Sequence, residues 1–323
     1  MVAPDSFKGT FTAFQVAEAI GAGLEAAGAE AELLPAADGG EGTMEALLAV
    51  LGGERHTAPA HDPLGRPIQA DYGLLEDGRS AVVEVAAASG LALVGEDERD
   101  AETASSAGTG ELIAAAAAAG PRRILIAAGG SATTDGGAGA IEAIEAAGGL
   151  DEAKLEVLCD VSVPFERAAE VFSPQKGADP AAVERLTVRL TARAGALPRD
   201  PRGRAMTGAA GGLSGGLWAA FGARLVPGAA YVLGLLGFDR RLERADAVVT
   251  GEGRLDVQSL EGKLVGEIAK RCREAGVPLH AIVGRIDLSA EQSGRLRLAS
   301  AHEASDPPAM ESAARDLLAQ FAA

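Results

Sequence analysis

Short apolar runs alternate with helical patterns along this chain, and Gly-containing loops with polar side chains follow the runs. Strand, loop and helix repeated in that order specify a mainly parallel α/β protein. Thr12 followed by Gln15 forms a capping box, and Val16, Ile20 and Leu24 then share one helical face. Strands are expected near residues 31–35, 123–128, 155–159, 247–249 and 280–283, with helices to about 51 and over 109–119, from 138, over 265–275 and from 308. Asp179-Pro180 reads as an N-cap followed by a proline at the first helical position. Residues 71–75 and 80–85 flank Glu76-Asp77-Gly78-Arg79, a β-hairpin pattern. A hairpin inside a βα chain points to a second, mixed-sheet domain. The expected division is residues 1–60 with 225–323, and an inserted 61–224.

At 323 residues and 47% hydrophobic, the chain can bury two such cores. Its net charge of −17 argues against nucleic acid and anionic membranes as partners. The acidic residues lie along helices, Glu18, Glu25, Glu142 and Glu145 among them, and read as a solvated face. Cys159 and Cys272 are too few and too far apart for a disulfide framework or a zinc site, which fits a cytoplasmic protein. Met1-Val2-Ala3-Pro4-Asp5 lacks the pattern of a signal peptide, and no apolar run reaches membrane-spanning length.

Five loops hold the residue types that chemistry needs. They are Asp5-Ser6-Phe7-Lys8-Gly9; Asp38-Gly39-Gly40-Glu41-Gly42-Thr43; the stretch from Gly129-Gly130-Ser131 through Thr133-Thr134-Asp135-Gly136-Gly137; Gly208-Ala209-Ala210-Gly211-Gly212; and Thr250-Gly251-Glu252-Gly253-Arg254-Leu255-Asp256. In open α/β sheets ligands bind at the carboxyl ends of strands, where these loops fall. Glycine lets backbone N–H groups approach an anion, and a following helix N-terminus adds positive potential. Lys and Arg neutralise phosphoryl or carboxylate oxygens, and carboxylates hold Mg²⁺ or accept a proton. Phosphoryl transfer uses all of these parts. Each loop also has a plainer reading. Asp38 and Glu41 serve equally well as caps for the helix from Thr43, and Ser131 and Thr133 for the helix from Ala138. The recurrence of such loops after strands favours the chemical reading. Of five lysines, Lys8, Lys176 and Lys263 each adjoin or closely precede a glycine turn. Walker A, dinucleotide and zinc-protease signatures are missing, and the four histidines lie outside the loops.

In these loops the chain resembles the type I glycerate kinase family, bacterial enzymes of glyoxylate and sugar-acid breakdown. The loops above match in family order, joined by Cys159-Asp160-Val161, Pro174-Gln175-Lys176-Gly177-Ala178 and the run Gln258, Gly262, Lys263. The resemblance implies transfer of phosphate from ATP to D-glycerate, usually giving 2-phosphoglycerate. It implies a Rossmann-like parallel-sheet domain made from both chain ends, an inserted mixed-sheet α/β domain, and an active site in the cleft. The implied partners are small molecules, with a homodimer as the expected assembly. Thr134 stands where the family usually has Asn, and Ser162-Val163-Pro164-Phe165 replaces Thr-Asn-Pro-Leu. Segments 149–155 and 165–171 are short for the family, and only Met1-Val2 precede Ala3-Pro4, so the first strand is expected to be clipped.

Chemistry then assigns expected roles. Lys8 and the backbones at Gly129, Gly130, Gly136, Gly137, Gly211 and Gly212 hold phosphate, together with Lys263. Arg254 clamps the glycerate carboxylate, because a guanidinium fork matches it. Asp5, Ser6, Gln258, Ser131 and Thr133 complete the substrate contacts. Asp38, Glu41 or Asp160 helps hold Mg²⁺. Asp256 or Asp135 is the general base, with the choice left open. The rival readings are a kinase for another small hydroxy acid and a non-catalytic ligand sensor.

Overall fold

The computed structural model describes residues 1–260 and 263–321. The chain divides into two compact units, one of Met1–Asp38, Glu45–Val50 and Ala229–Ala323, the other of Gly39–Met44 and Leu51–Gly228.

The second unit is built on a six-stranded sheet in the order β1 (Gly53–His61), β2 (Pro67–Leu75), β3 (Ser80–Glu84), β4 (Arg123–Ala127), β5 (Lys154–Cys159) and β6 (Arg224–Pro227). The first two pairings are antiparallel and the other three parallel. Asp77 shapes the turn between β2 and β3, accepting the N–H groups of Arg79 and Ser80 and the Ser80 hydroxyl. Ile124, Leu125 and Ile126 of β4 are all fully buried, the mark of a strand covered on both faces. Helices Ala107–Ala118 and Ala138–Ala146 pack beside it through Leu112, Ile113 and Ile144. Asp179 caps Pro180–Ala196 by accepting the Ala182 N–H, as expected.

The division differs from expectation at residues 39–44, 51–60 and 225–228, all of which group with the second unit. Residues 51–60 belong to the second unit, because β1 pairs with β2 along its whole length. Pro59 and the charged Glu54 and Arg55 disguised it, and an edge strand is where such residues are tolerated.

In the first unit, β7 (Val248–Thr250), β8 (Leu279–Val283) and β9 (Ser300–Glu303) form a parallel sheet. Val2 extends it by bridging in parallel to both Val249 and Leu33. The short N-terminal segment is fully engaged: Val2 is buried, Ala3 N–H reaches Val249 O at 2.8 Å, and Leu34 N–H reaches Val2 O at 2.8 Å. Helices Ala13–Ala26 and Pro307–Phe321 pack together, joining Val16, Ile20 and Leu24 to Met310, Ala314 and Leu317. The Thr12–Gln15 capping box forms in both directions. No helix among the described residues is long and apolar enough to cross a membrane.

Candidate active site

Three strand ends of the first unit open into one cavity. The segment after Val2 carries Asp5 to Lys8, with Asp5 N–H bonded to Gly251 O at 2.7 Å. The segment after Leu33 ends in Asp38, and β7 ends in the loop from Gly251. A side chain at residue 251 would place its Cβ 2.4 Å from Ile282 O, so only glycine lets the loop leave the strand this close to β8. The cavity measures 440 Å³. Asp5, Ser6, Lys8, Asp38, Arg254, Asp256, Gln258 and Lys263, each expected at the site, all line it. Gly262 lies outside the described residues.

Charge inside the cavity is closely opposed. Asp38 is buried, and its Oδ2 stands 3.9 Å from Lys8 Nζ and 3.8 Å from Lys263 Nζ. Asp5 is buried beside it, and burial reinforced by the Asp38 charge pushes its pKa well above the usual carboxylate range. Its Oδ1 accepts the Ser6 N–H at 2.7 Å. Arg254 is 64% exposed at the rim, so its fork is open to a ligand. Its Nε lies 2.5 Å from Asp287 Oδ2, a charge contact off the hydrogen-bond axis, and 3.7 Å from Asp256 Oδ2. Asp256 Oδ1 accepts the Gln258 N–H at 2.8 Å.

Sequence reasoning gave no role to Glu252, Arg285 or Asp287. Glu252 and Arg285 line the cavity, and Asp287 holds both Arg254 and Arg285. Glu252 carried a signal, since it stands between two glycines of a recognised loop. Arg285 and Asp287 lie in no motif and reach the site only through the fold.

The second unit gathers the other glycine loops, with corrections to their expected roles. Asp135, a candidate base, is a structural cap. Its Oδ1 accepts Gly137 N–H, and its Oδ2 accepts Ser106 N–H, Ser106 Oγ–H and Gly139 N–H, at 2.7 to 3.1 Å. These four donors engage both of its oxygens. Gly136, Gly137 and Gly212 have N–H groups already bonded to Gly211 O, Asp135 Oδ1 and Gly208 O, so they are spent on the fold rather than turned to a phosphate. Gly211 is required by close approach: its φ is +65°, and a Cβ there would stand 1.9 Å from Thr133 O. Ala210, Gly211 and Gly212 are left-handed in succession, directly before the helix Leu213–Phe221. Gly129 and Gly130 follow β4, and Gly130 O accepts the Leu91 N–H.

Lys176 is the unexpected residue of this unit. It is 2% exposed, and its Nζ donates to Ser131 Oγ at 2.9 Å and to Thr133 O at 2.6 Å. Burial pulls its pKa down to about 7, against the opposing charge of Asp135. The hydroxyls of Thr133 and Thr134 are buried without hydrogen-bond partners.

The expected magnesium ligands do not fit a resident ion. Among the described residues no group of three or more His, Cys, Asp or Glu is disposed to hold a metal. Asp38 stands between two ammonium groups, its Oδ2 3.9 Å from Lys8 Nζ and 3.8 Å from Lys263 Nζ. Cys159 and Cys272 are buried free thiols, each pushed up to about 12 by burial.

Known proteins match this chain in sequence and in fold. The model of the glycerate kinase family matches residues 1–152 and 145–320. A glycerate kinase of Halalkalibacterium halodurans is 38% identical, with 88% of this chain and 85% of that protein covered. A glycerate 2-kinase of Escherichia coli is 36% identical over the same shares. A solved structure described as glycerate kinase 2 of Salmonella typhimurium LT2 superposes with a TM-score of 0.85 at 36% identity, covering 99% of this chain and 97% of that one. Matched over nearly its whole length in sequence and in fold, this chain belongs to the glycerate kinase family, kinases whose phosphoryl acceptor is an alcohol group.

Proposed function

We propose that this protein transfers the γ-phosphoryl group of ATP to D-glycerate, giving ADP and 2-phosphoglycerate. The observation that carries the reading is the first unit's cavity. Its 440 Å³ suit a small polar molecule, and it brings together Lys8, Lys263, Arg254 and Arg285 with Asp5, Asp38, Glu252 and Asp256. A hydroxy acid needs a cation fork for its carboxylate and a carboxylate for its hydroxyl. Arg254, steadied by Asp287, supplies the fork. Lys8 and Lys263 face the charge that develops on the moving phosphoryl oxygens.

The loops of the second unit suit nucleotide phosphates. The left-handed Ala210 and Gly211, ahead of the helix Leu213–Phe221, turn the backbone into a concavity that suits an anion, with the Gly212 N–H held by Gly208 O. Ser131, Thr133 and Lys176 add polar groups to the neighbouring loop. Magnesium would enter with the nucleotide in this reading and would offset the charge of its phosphates. The product assignment is supported by the Escherichia coli relative, which is named a glycerate 2-kinase. A cytoplasmic location is supported by the two reduced, buried thiols.

The test measures ADP release with ATP, Mg²⁺ and D-glycerate, and assigns the phosphorylated position by NMR of the product. Arg254→Ala and Lys8→Ala are expected to lose most of the activity. No turnover above a blank without enzyme would overturn the kinase reading. Thermal stabilisation by D-glycerate without ADP formation would instead make this a ligand-binding relative. A panel of small hydroxy acids tests the substrate.

A further inference from the structure

The proton of the acceptor hydroxyl needs a destination, and the cavity's four carboxyl groups differ in their fitness to receive it. Asp38 is held between two ammonium groups, its Oδ2 3.9 Å from Lys8 Nζ and 3.8 Å from Lys263 Nζ, so that oxygen faces cations rather than a substrate hydroxyl. Asp5 spends Oδ1 on the Ser6 N–H at 2.7 Å, and burial beside Asp38 pushes its pKa well above the usual carboxylate range. Asp256 spends Oδ1 on the Gln258 N–H, and its Oδ2 faces Arg254.

Glu252 is held differently. Its carbonyl oxygen accepts the Gly284 N–H at 3.0 Å, which fixes its backbone over the end of β8. Its Oε1 accepts the Ser259 hydroxyl at 2.5 Å. Ser259 is 1% exposed, and its Oγ in turn accepts the Asp256 N–H at 3.2 Å, so the direction of its own proton is set toward Glu252. One carboxylate oxygen is therefore oriented, and the side chain lines the cavity.

We propose that Glu252 is the catalytic base of this site and that Ser259 is its positioning residue. The inference rests on the kinase reading above. In the step, the hydroxyl O–H bond breaks and its proton passes to Glu252 Oε2. The oxygen forms a bond to the γ-phosphorus, and the bond from that phosphorus to the bridging oxygen breaks, with the electron pair leaving on the nucleoside diphosphate. Beside burial, Asp256 and Asp38 raise the pKa of Glu252, while the Ser259 hydroxyl and Lys263 lower it; Asp5, Lys8, Arg254 and Arg285 are the other charged groups lining the cavity. Burial, the largest influence, sets its pKa at about 7, which suits a group that must be both ionised and basic near neutrality.

The experiment is a pH–rate profile with D-glycerate and saturating MgATP from pH 5.5 to 9 for the wild type, Glu252→Gln, Glu252→Asp and Ser259→Ala. Wild-type kcat should fall on the acid side with a midpoint near pH 7. Glu252→Gln should lose about 10²- to 10⁴-fold in kcat with KM changed only a few-fold. Glu252→Asp should recover part of that loss. Ser259→Ala removes a hydrogen bond that favours the carboxylate, so its acidic limb should move to higher pH, an effect that mere loss of packing does not produce. Thermal unfolding of each variant separates folding failure from loss of the base. An active wild type with Glu252→Gln within three-fold of it, or an acidic limb unmoved in Ser259→Ala, overturns the assignment and leaves the kinase reading intact. A silent wild type overturns the kinase reading itself.

Discussion

The ammonium group of Lys176 donates to the carbonyl oxygen of Thr133 at 2.6 Å, within the packed interior of the second unit. A lysine enclosed in this way loses hydration, and its pKa falls from 10.5 to about 7. Between these values the folded chain holds fewer protons than the unfolded chain, so stability rises with pH across that window. The gain is absent below pH 7. Wild type and Lys176→Met should therefore diverge, the wild type gaining about 2 kcal/mol on the variant between pH 7 and 9. Chemical unfolding at the two pH values reads this, and a constant difference contradicts it.

Asp135 serves the fold. With four donors on its carboxylate, Asp135→Ala should lower the stability of the second unit by about 3 kcal/mol. Asp135→Asn should cost less, because its carbonyl oxygen still accepts some of these bonds. Differential scanning calorimetry measures both. The acidic limb of the pH–rate profile should not move in Asp135→Asn, whereas a base at this position would shift it.

Glu252 should trade stability for activity. Its folded pKa of about 7 lies above its unfolded value of 4.5, so the folded state holds the extra proton. The resulting stability is complete below pH 4.5 and lost as pH rises through 7. Glu252→Gln carries no such charge, and above pH 7 it should be more stable than wild type by about 3 kcal/mol. Thermal midpoints at pH 5 and pH 8 decide the matter, since the advantage should be far larger at the higher value.

Two glycines with similar backbones should respond differently to a methyl group. Gly211 has φ +65° with Thr133 O 1.9 Å from the would-be Cβ, while Gly120 has φ +81° with nothing within 4 Å. Gly120→Ala should cost about 1 kcal/mol from backbone strain alone. Gly211→Ala adds a collision with main chain and should cost about 3 kcal/mol or more, with loss of turnover. Equal thermal shifts for the two variants would contradict the packing argument.

Asp287 steadies Arg254 through a charge contact at 2.5 Å. Asp287→Ala leaves the guanidinium in place but lets it swing, so KM for D-glycerate should rise about ten-fold with kcat nearly retained. A proportional fall in kcat instead would place Asp287 in the chemical step.

Much of this protein was written locally. The Thr12–Gln15 box, the Asp179 cap and the buried Ile124-Leu125-Ile126 strand depend on neighbours in sequence, and each forms as its residues dictate. The strand Gly53–His61 was illegible because its stability comes from a nine-residue partner rather than from its own composition. Eight expected site residues line one cavity, since loops after parallel strands must emerge at the same sheet edge.

The sequence alone determined the α/β class, the order of strands and glycine loops, and the chemical inventory at each strand end. These follow from side-chain period and backbone freedom, which are properties of short segments. The tertiary structure alone decided what each polar group faces. Asp38 meets two lysines, Asp135 is consumed by four donors, and Glu252 lines the cavity, half-buried, with one oxygen oriented by Ser259. Acidity and hydrogen-bond demand depend on charges and donors brought from distant parts of the chain, so only folding assigns their roles.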